Sequence, residues 1–372
     1  MLIVALAAAV TFAVSSAVSR GPGLAAHDAG IISLTTGEAD GQPIAISAGR
    51  DDTVRVWNLT TRRQIGSLVV LSEFGEAATG DERVLSVALG RLAGRPVAVT
   101  GGRDCAVRIW DLNTGQQLGR PMTGHERHVA AVALGEVDGR PVIVSGSADG
   151  TLRMWDPSTQ KQIGDPLTGH AGTIASVVFG EVDGRPVIVS GGHDGTVRRW
   201  DPATRRQSGA PMTGSTSLVV SVALGEVDGR PVAVSGAWDA TLRVWDLATG
   251  EQLGGPLTGH EIGGGPVAVI QVNGRPVIVS GGVDRTVRMW DLATRKQLGD
   301  PLTGHDRAVA VLAVTQVNGR PIALTAGEDR TVRTWDLLTR EQAGDTLVGL
   351  EAGVVPPAGV IPVAGRTGRT GS

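Results

Sequence analysis

The sequence predicts an all-β fold in which seven small sheets close into a ring, and three observations carry that prediction. Trp110, Trp155, Trp200, Trp245, Trp290 and Trp335 stand 45 residues apart, and Trp57 lies 53 residues before Trp110. Six of these tryptophans precede Asp, and Trp57 precedes Asn58. The segment Gly-Glu-Val-Asp-Gly-Arg-Pro-Val at 135–142 returns at 180–187 and 225–232, with variants at 37–44, 90–97, 271–277 and 316–322. A chain that uses one unit seven times is a repeat architecture, because a sheet too small to bury its own faces does so against copies of itself. The fold class that follows is a seven-bladed β-propeller of four-stranded antiparallel blades.

Each element of the unit can be read at 129–168. An apolar run, Val129 to Val137, ends at Asp138-Gly139, a two-residue hairpin signal. Pro141 to Ser145 is short and rich in β-branched residues, and Asp149-Gly150 makes a second tight turn. Thr151 to Trp155 alternates, with Thr151, Arg153 and Trp155 on one face and Leu152 and Met154 on the other. A polar turn after Asp156 leads to a fourth, edge-like strand at Gln162–Thr168. Two central strands that are apolar on both faces imply a sheet stacked between neighbours.

Polar residues recur with the same period. Asp stands six residues before each Trp, as Asp51, Asp104, Asp149, Asp194, Asp239, Asp284 and Asp329. Ser or Thr stands ten before, as Ser47, Thr100, Ser145, Ser190, Ser235, Ser280 and Thr325. His follows Gly at His125, His170, His260 and His305, and His27 occupies the corresponding place in the first unit. On these residues, over roughly 20–350, the chain resembles the WD-repeat family. The resemblance implies a hydrogen-bonded tetrad of His, Ser or Thr, Asp and Trp in each blade, with a structural role. His125, Ser145, Asp149 and Trp155 would form one; His170, Ser190, Asp194 and Trp200 the next. His260, Ser280, Asp284 and Trp290 would form another, as would His305, Thr325, Asp329 and Trp335. Two units depart, with Asp81 in the His position of the second and Ser215 in that of the fifth, and those blades are expected to be less rigid.

Composition narrows the function classes. The net charge is −3, so no broad positive field invites nucleic acid. Cys105 is the sole cysteine, which excludes an intrachain disulfide and a multi-cysteine zinc site. Lys161 and Lys296 are the only lysines among 34 basic residues. With abundant Ala, Gly and Val, this suggests a GC-rich genome, and the chain resembles bacterial, in particular actinobacterial, WD-repeat arrays. Such arrays often accompany kinase, protease-like or nucleotidase domains. The resemblance therefore leaves a second reading open, a sensory or regulatory module of a signalling system acting in trans.

Three segments are expected: an apolar stretch 1–19, the propeller at 20–350 and a disordered tail at 351–372. Residues 1–19 carry no charged side chain. They read equally as a signal or anchor and as eroded repeat, since Phe12 falls 45 residues before Trp57. The compartment is accordingly open between cytoplasmic and exported or anchored, and a membrane is a partner only if this stretch acts as an anchor. Either Glu341–Val348 or Gly21–His27 would supply the strand that closes the ring.

No catalytic, metal or cofactor motif stands out. His125-Glu126-Arg127-His128 lacks the spacing of a His-Glu-x-x-His zinc site. Gly263-Gly264-Gly265 has no following Lys-Ser/Thr and reads as a flexible connection between blades. The Arg two residues before each Trp, from Arg55 to Arg333, reads as a solvated or ion-paired stripe. Asp and Ser or Thr recur in all seven units and His in five, which one active site does not need, so the protein is expected not to be an enzyme and to be a monomer. Variation is concentrated just before the tetrad Asp, where the seven residues are Arg50, Arg103, Ala148, His193, Trp238, Val283 and Glu328. That face is the expected docking surface for a protein or peptide, with Trp238 as anchor and Arg50, Arg103, His193 and Glu328 as polar contacts.

Overall fold

The structure, a computed structural model, describes residues 26–39, 41–51, 53–68 and 84–347. The expectations for 1–19, the inserted stretch Ser72 to Gly80, Asp81 and the tail 351–372 lie outside the described residues. Within them the chain forms strands and turns without a helix, folded as a seven-bladed β-propeller. The innermost strands of the blades are Ile31–Ala39, Val84–Leu92, Val129–Val137, Ile174–Val182, Val219–Val227, Gly264–Val272 and Val309–Val317. Each blade pairs consecutive strands antiparallel from the inside outward.

The outermost strand is the least regular. In the third blade it touches the third strand twice, through Trp155↔Gln162 and again through Leu152↔Leu167. In the second blade only the isolated pairs Trp110↔Gln117 and Val107↔Met122 stand in its place. The hairpin between the first two strands obeys its sequence. Asp138 and Gly139 both take positive φ, 51° and 72°, the geometry of a type I′ turn.

The second strand of each blade is its most buried part. Val142 to Ser147 are buried without interruption, because both faces of the sheet are covered by neighbours. Seven apolar cores lie between blades rather than within them. Between the third and fourth blades, Val144, Leu152 and Met154 meet Ile174, Val177, Ile188 and Trp200. Every such core ends on the tetrad Trp of the following blade, so each indole is packed by the blade before it. Glycine makes this approach possible: a Cβ on Gly146 would sit 2.7 Å from Cγ2 of Ile174. Hydroxyl groups add stitches. The Val87, Val132, Val222 and Val267 amides donate to Ser33, Ser86, Ser176 and Ser221 of the preceding blade, at 3.0–3.1 Å.

The ring closes by packing, without exchange of a strand among the described residues. Glu341–Gln342 pairs with Trp335 and Asp336, and Leu347 bridges to Val332, so the outer strand of the seventh blade comes from the sequence that follows its own Trp. Trp57, Ala45 and Leu59 of the first blade then pack on Ile322, Leu324 and Val332 of the seventh. Ala26 and Ile31 join the same core. The Gly263–Gly265 run is not a loose connection. Gly264 and Gly265 begin the innermost strand of the sixth blade, and a Cβ on Gly265 would lie 2.6 Å from the Gly281 carbonyl oxygen. These glycines are there for close approach of backbone to backbone.

Candidate interaction face

The polar groups behind the face fix its turns. In the fourth blade Trp200 Nε1 donates to Ser190 Oγ at 2.8 Å, His170 Nε2 lies 2.8 Å from that oxygen, and His170 Nδ1 lies 3.0 Å from Asp194. With the hydroxyl oxygen accepting from the indole, its own proton goes to Nε2, and the neutral ring donates through Nδ1 to the carboxylate. The same bonds join His125, Ser145, Asp149 and Trp155 at 2.7–2.9 Å. They join His260, Ser280, Asp284 and Trp290 at 2.9–3.1 Å, and His305, Thr325, Asp329 and Trp335 at 2.6–2.7 Å. His27 completes a fifth set with Ser47, Asp51 and Trp57.

Burial pushes the His125, His170 and His260 imidazoles below their ordinary pKa, against the pull of the Asp each one bonds. For Asp149, burial raises the carboxyl, but bonds from Thr151, His125 and the Glu126 amide outweigh it and hold the pKa at about 2. Asp194 is likewise held at about 2, with the Ala171 amide, His170 and Thr196 opposing burial. A neutral imidazole beside an ionised carboxylate is thus the resting state of these blades.

Arginine takes over where the imidazole is missing. In five blades the Arg two before the Trp pairs with the tetrad Asp, its side chain only 9–14% exposed, so there the stripe is ion-paired and not solvated. In the first, fourth and sixth blades, which have His, Arg55, Arg198 and Arg288 stand 3.6–3.8 Å from the tetrad Asp, and in the third and seventh Arg153 and Arg333 donate to Gln162 and Gln342. In the second blade Arg108 closes to 2.6 Å of Asp104, and in the fifth Arg243 closes to 3.2 Å of Asp239, where Ser215 reaches the same carboxylate at 3.3 Å. The 30-residue interval from His125 to Trp155 also falls on Gly80 in the second unit, which puts Asp81 one residue out of step.

Above this framework the variable residues form an ordered ring. In six of the blades the amide of the variable residue donates to the carbonyl of the last residue of the incoming connection. These pairs are Arg50 with Gly30, Ala148 with His128, His193 with Thr173, Trp238 with Leu218, Val283 with Gly263 and Glu328 with Ala308. Each of these six blades therefore presents two residues, 20 apart in sequence, side by side. Arg50, Arg103, His193, Trp238 and Glu328 are all exposed on this face, spread over five blades. Trp238 is 56% exposed, whereas the other seven tryptophans are at most 6% exposed. Sequence reasoning missed its neighbours. Leu218 is 37% exposed and Ile262 63% exposed, and Gly264, two residues after Ile262, presses directly on Ala237, one residue before Trp238. The signal that would have found Leu218 and His128 is the constant 20-residue offset from the variable position.

The family model of the WD domain, G-beta repeat, matches residues 116–156, 161–201, 252–291 and 296–336. These four segments are similar to WD repeats. Each matched repeat runs from the outer strand of one blade through the Trp of the next, ending just past Trp155, Trp200, Trp290 and Trp335, and each contains a Gly-His pair. The chain is also similar to mitochondrial division protein 1 of Pyricularia oryzae, 43% identical over 68 residues, 18% of this chain and 8% of that protein. The protein of that name from Mycosarcoma maydis is 34% identical over 100 residues, 27% of this chain and 10% of the relative. The one from Saccharomyces cerevisiae is 38% identical over 68 residues, 18% of this chain and 8% of that protein. This chain thus spans a tenth or less of the curated relatives it matches. These relatives are fungal and give no support to the bacterial affinity expected from composition.

Proposed function

We propose that this protein is a non-enzymatic interaction scaffold that holds a protein or peptide partner on the variable face of its propeller. One observation carries the reading: an exposed indole in a tight turn at a position that changes in charge, size and polarity around the ring, on a frame whose strand one–two and three–four turns repeat. Trp238 contributes nothing to a core at that position, and exposed apolar groups that cluster mark interaction sites. In this reading Trp238 is the anchor, and Arg50, Arg103, His193 and Glu328 supply polar contacts around it. The side chains that resemble an acid, a base and a nucleophile are bonded to one another inside the blades, where they hold turns in place.

Affinity capture followed by mass spectrometry tests this with the full chain and its Trp238→Ala and Arg103→Ala variants. The expected outcome is partner recovery several-fold lower for both variants at unchanged melting temperature. Equal recovery by all three proteins would remove the proposal.

A further inference from the structure

The ring of paired residues is sorted by chemistry. The first four blades present Arg50, Arg103, His128 and His193, with Gly30, Ala148 and Thr173 as their uncharged companions. No carboxylate occupies those positions among the described residues. Asp28 and Glu126 lie outside the ring, next to the tetrad histidines, with their amides donating to Asp51 and Asp149. The fifth and sixth blades present Leu218, Trp238 and Val283, with Ile262 beside them. Three of the four large exposed apolar side chains of the described residues fall there, and the fourth, Leu338, lies in a strand three–four turn on the opposite face. Glu328 on the seventh blade is the one acid of the ring among the described residues.

We propose that the partner is a peptide segment in which a bulky apolar side chain adjoins acidic residues. The apolar group seats on Leu218, Trp238 and Ile262, and the carboxylates lie over Arg50, Arg103, His128 and His193. The inference rests on the variable face being the docking face, and it adds the chemistry of what docks. Apolar surface of this kind gains by exclusion of water, and the adjoining positive arc selects the sign of whatever flanks the anchor. Burial lowers the pKa of His128, with Arg103, Arg127 and His193 lowering it further, and burial lowers that of His193, so both rings are neutral at pH 7 and offer N–H donors. The charge of the arc comes from Arg50, Arg103 and the exposed Arg127 beside His128. A phosphate backbone would satisfy the arc and leave the apolar patch uncovered, so a peptide fits both.

Trp238 is a built-in reporter, since it is the exposed tryptophan and the other seven are buried. The full chain is titrated with a synthetic peptide in which glutamates flank a Leu-Phe pair. Two control peptides carry lysines in place of the glutamates, or serines in place of Leu-Phe. Acrylamide quenching of tryptophan fluorescence and anisotropy of labelled peptide are read. The expected result is protection of Trp238 and binding about tenfold tighter for the glutamate peptide than for either control, with the preference shrinking as salt screens the arc. Trp238→Ser and the double variant Arg50→Glu, Arg127→Glu each lose that affinity about tenfold. Equal binding of the lysine peptide, still abolished by Trp238→Ser, overturns the acidic assignment and leaves the docking face standing. Failure of the glutamate peptide to protect Trp238 overturns the chemistry as a whole, whereas loss of the docking face is read separately in the capture experiment. A dimer seen by sedimentation and dissolved by Trp238→Ser makes a second copy the occupant and also overturns the proposal.

Discussion

The fourth and fifth blades are adjacent and nearly identical in sequence, yet they solve one electrostatic problem in different ways. Asp194 and Asp239 are both largely withdrawn from water, and each needs a partner to stay ionised there. In the fourth blade His170 bonds Asp194 on one side and Ser190 on the other, so a continuous chain of bonds runs from the buried indole to the surface turn. In the fifth, Ser215 is too short to reach the core. Its hydroxyl donates to the Ser217 carbonyl at 2.8 Å, and Arg243 moves onto Asp239. Ser235 keeps its indole bond at 2.9 Å with no imidazole to receive its proton. A guanidinium therefore replaces the imidazole's charge relationship but not its link between connection and core. The blade without that link is the one that exposes Leu218 and Trp238.

The largest effect that sharpens this contrast concerns the two kinds of tryptophan. Trp200→Ala should destabilise by about 3–5 kcal/mol, through the cavity it leaves between blades and the donor removed from Ser190. Trp238→Ala, in the same thermal or urea unfolding measurement, should leave stability within about 0.5 kcal/mol. A large loss for Trp238→Ala would show that it covers its own blade and does not serve a partner.

Acid is the next lever. His125, His170 and His260 have folded pKa values below the ordinary 6.5, so the unfolded chain binds more protons and stability falls as pH drops below about 6.5. Asp149 and Asp194 are lowered from 3.8 to about 2, so their stabilisation is complete above the unfolded value and is lost as pH falls from there through about 2. Both windows have the same sign. Urea unfolding from pH 7 to pH 4 should show stability declining first below pH 6.5, and His170→Ser should make that decline shallower. An unchanged slope in the variant would mean that the ring is not what responds.

His170→Ala by itself, at pH 7, should cost about 1–3 kcal/mol, because Ser190 and Asp194 lose a buried partner together. Arg198→Ala should cost less than Arg243→Ala, since Asp194 keeps His170 while Asp239 loses its nearest cation. Equal costs in a pair of chemical melts would break the claim that arginine substitutes for the imidazole.

Much of this architecture was legible because its determinants are local and repeated. Asp138-Gly139 specifies its turn, and the positions of Ser145, Asp149 and Trp155 on adjacent strands follow from the 45-residue period and the alternation of the strands. What the sequence did not disclose depends on reach and on register. Arg243 stands at the same position as Arg198, and only the length of residue 215 decides how far its side chain moves. Leu218 and Trp238 are 20 residues apart, and it is the antiparallel pairing of the first two strands that puts them side by side. Gly264 and Gly265 looked like slack chain, because a glycine needed for close contact and a glycine needed for flexibility are written with the same letter.

The smallest effect is the most discriminating. Ser215→His would restore the fourth group to a blade that already holds Ser235, Asp239 and Trp245, yet the gain should be about 0.5–1 kcal/mol, less than His170→Ala loses. Two neighbours reduce it. Arg243 already neutralises Asp239, so the new imidazole competes for a satisfied carboxylate. Ala237 also places a Cβ where the fourth blade has Gly192, and a Cβ on Gly192 would press on His170 and lie 2.8 Å from the Asp194 carboxylate. Blade three, where Ser147 fills that position beside a bonded His125, shows that the crowding can be accommodated. Ser215→His combined with Ala237→Gly should therefore stabilise more than Ser215→His alone, despite the entropy that a glycine adds to the unfolded strand. Chemical melts of the two variants decide it: a larger gain for the single variant would mean that crowding at 237 is not what kept histidine out of the fifth blade.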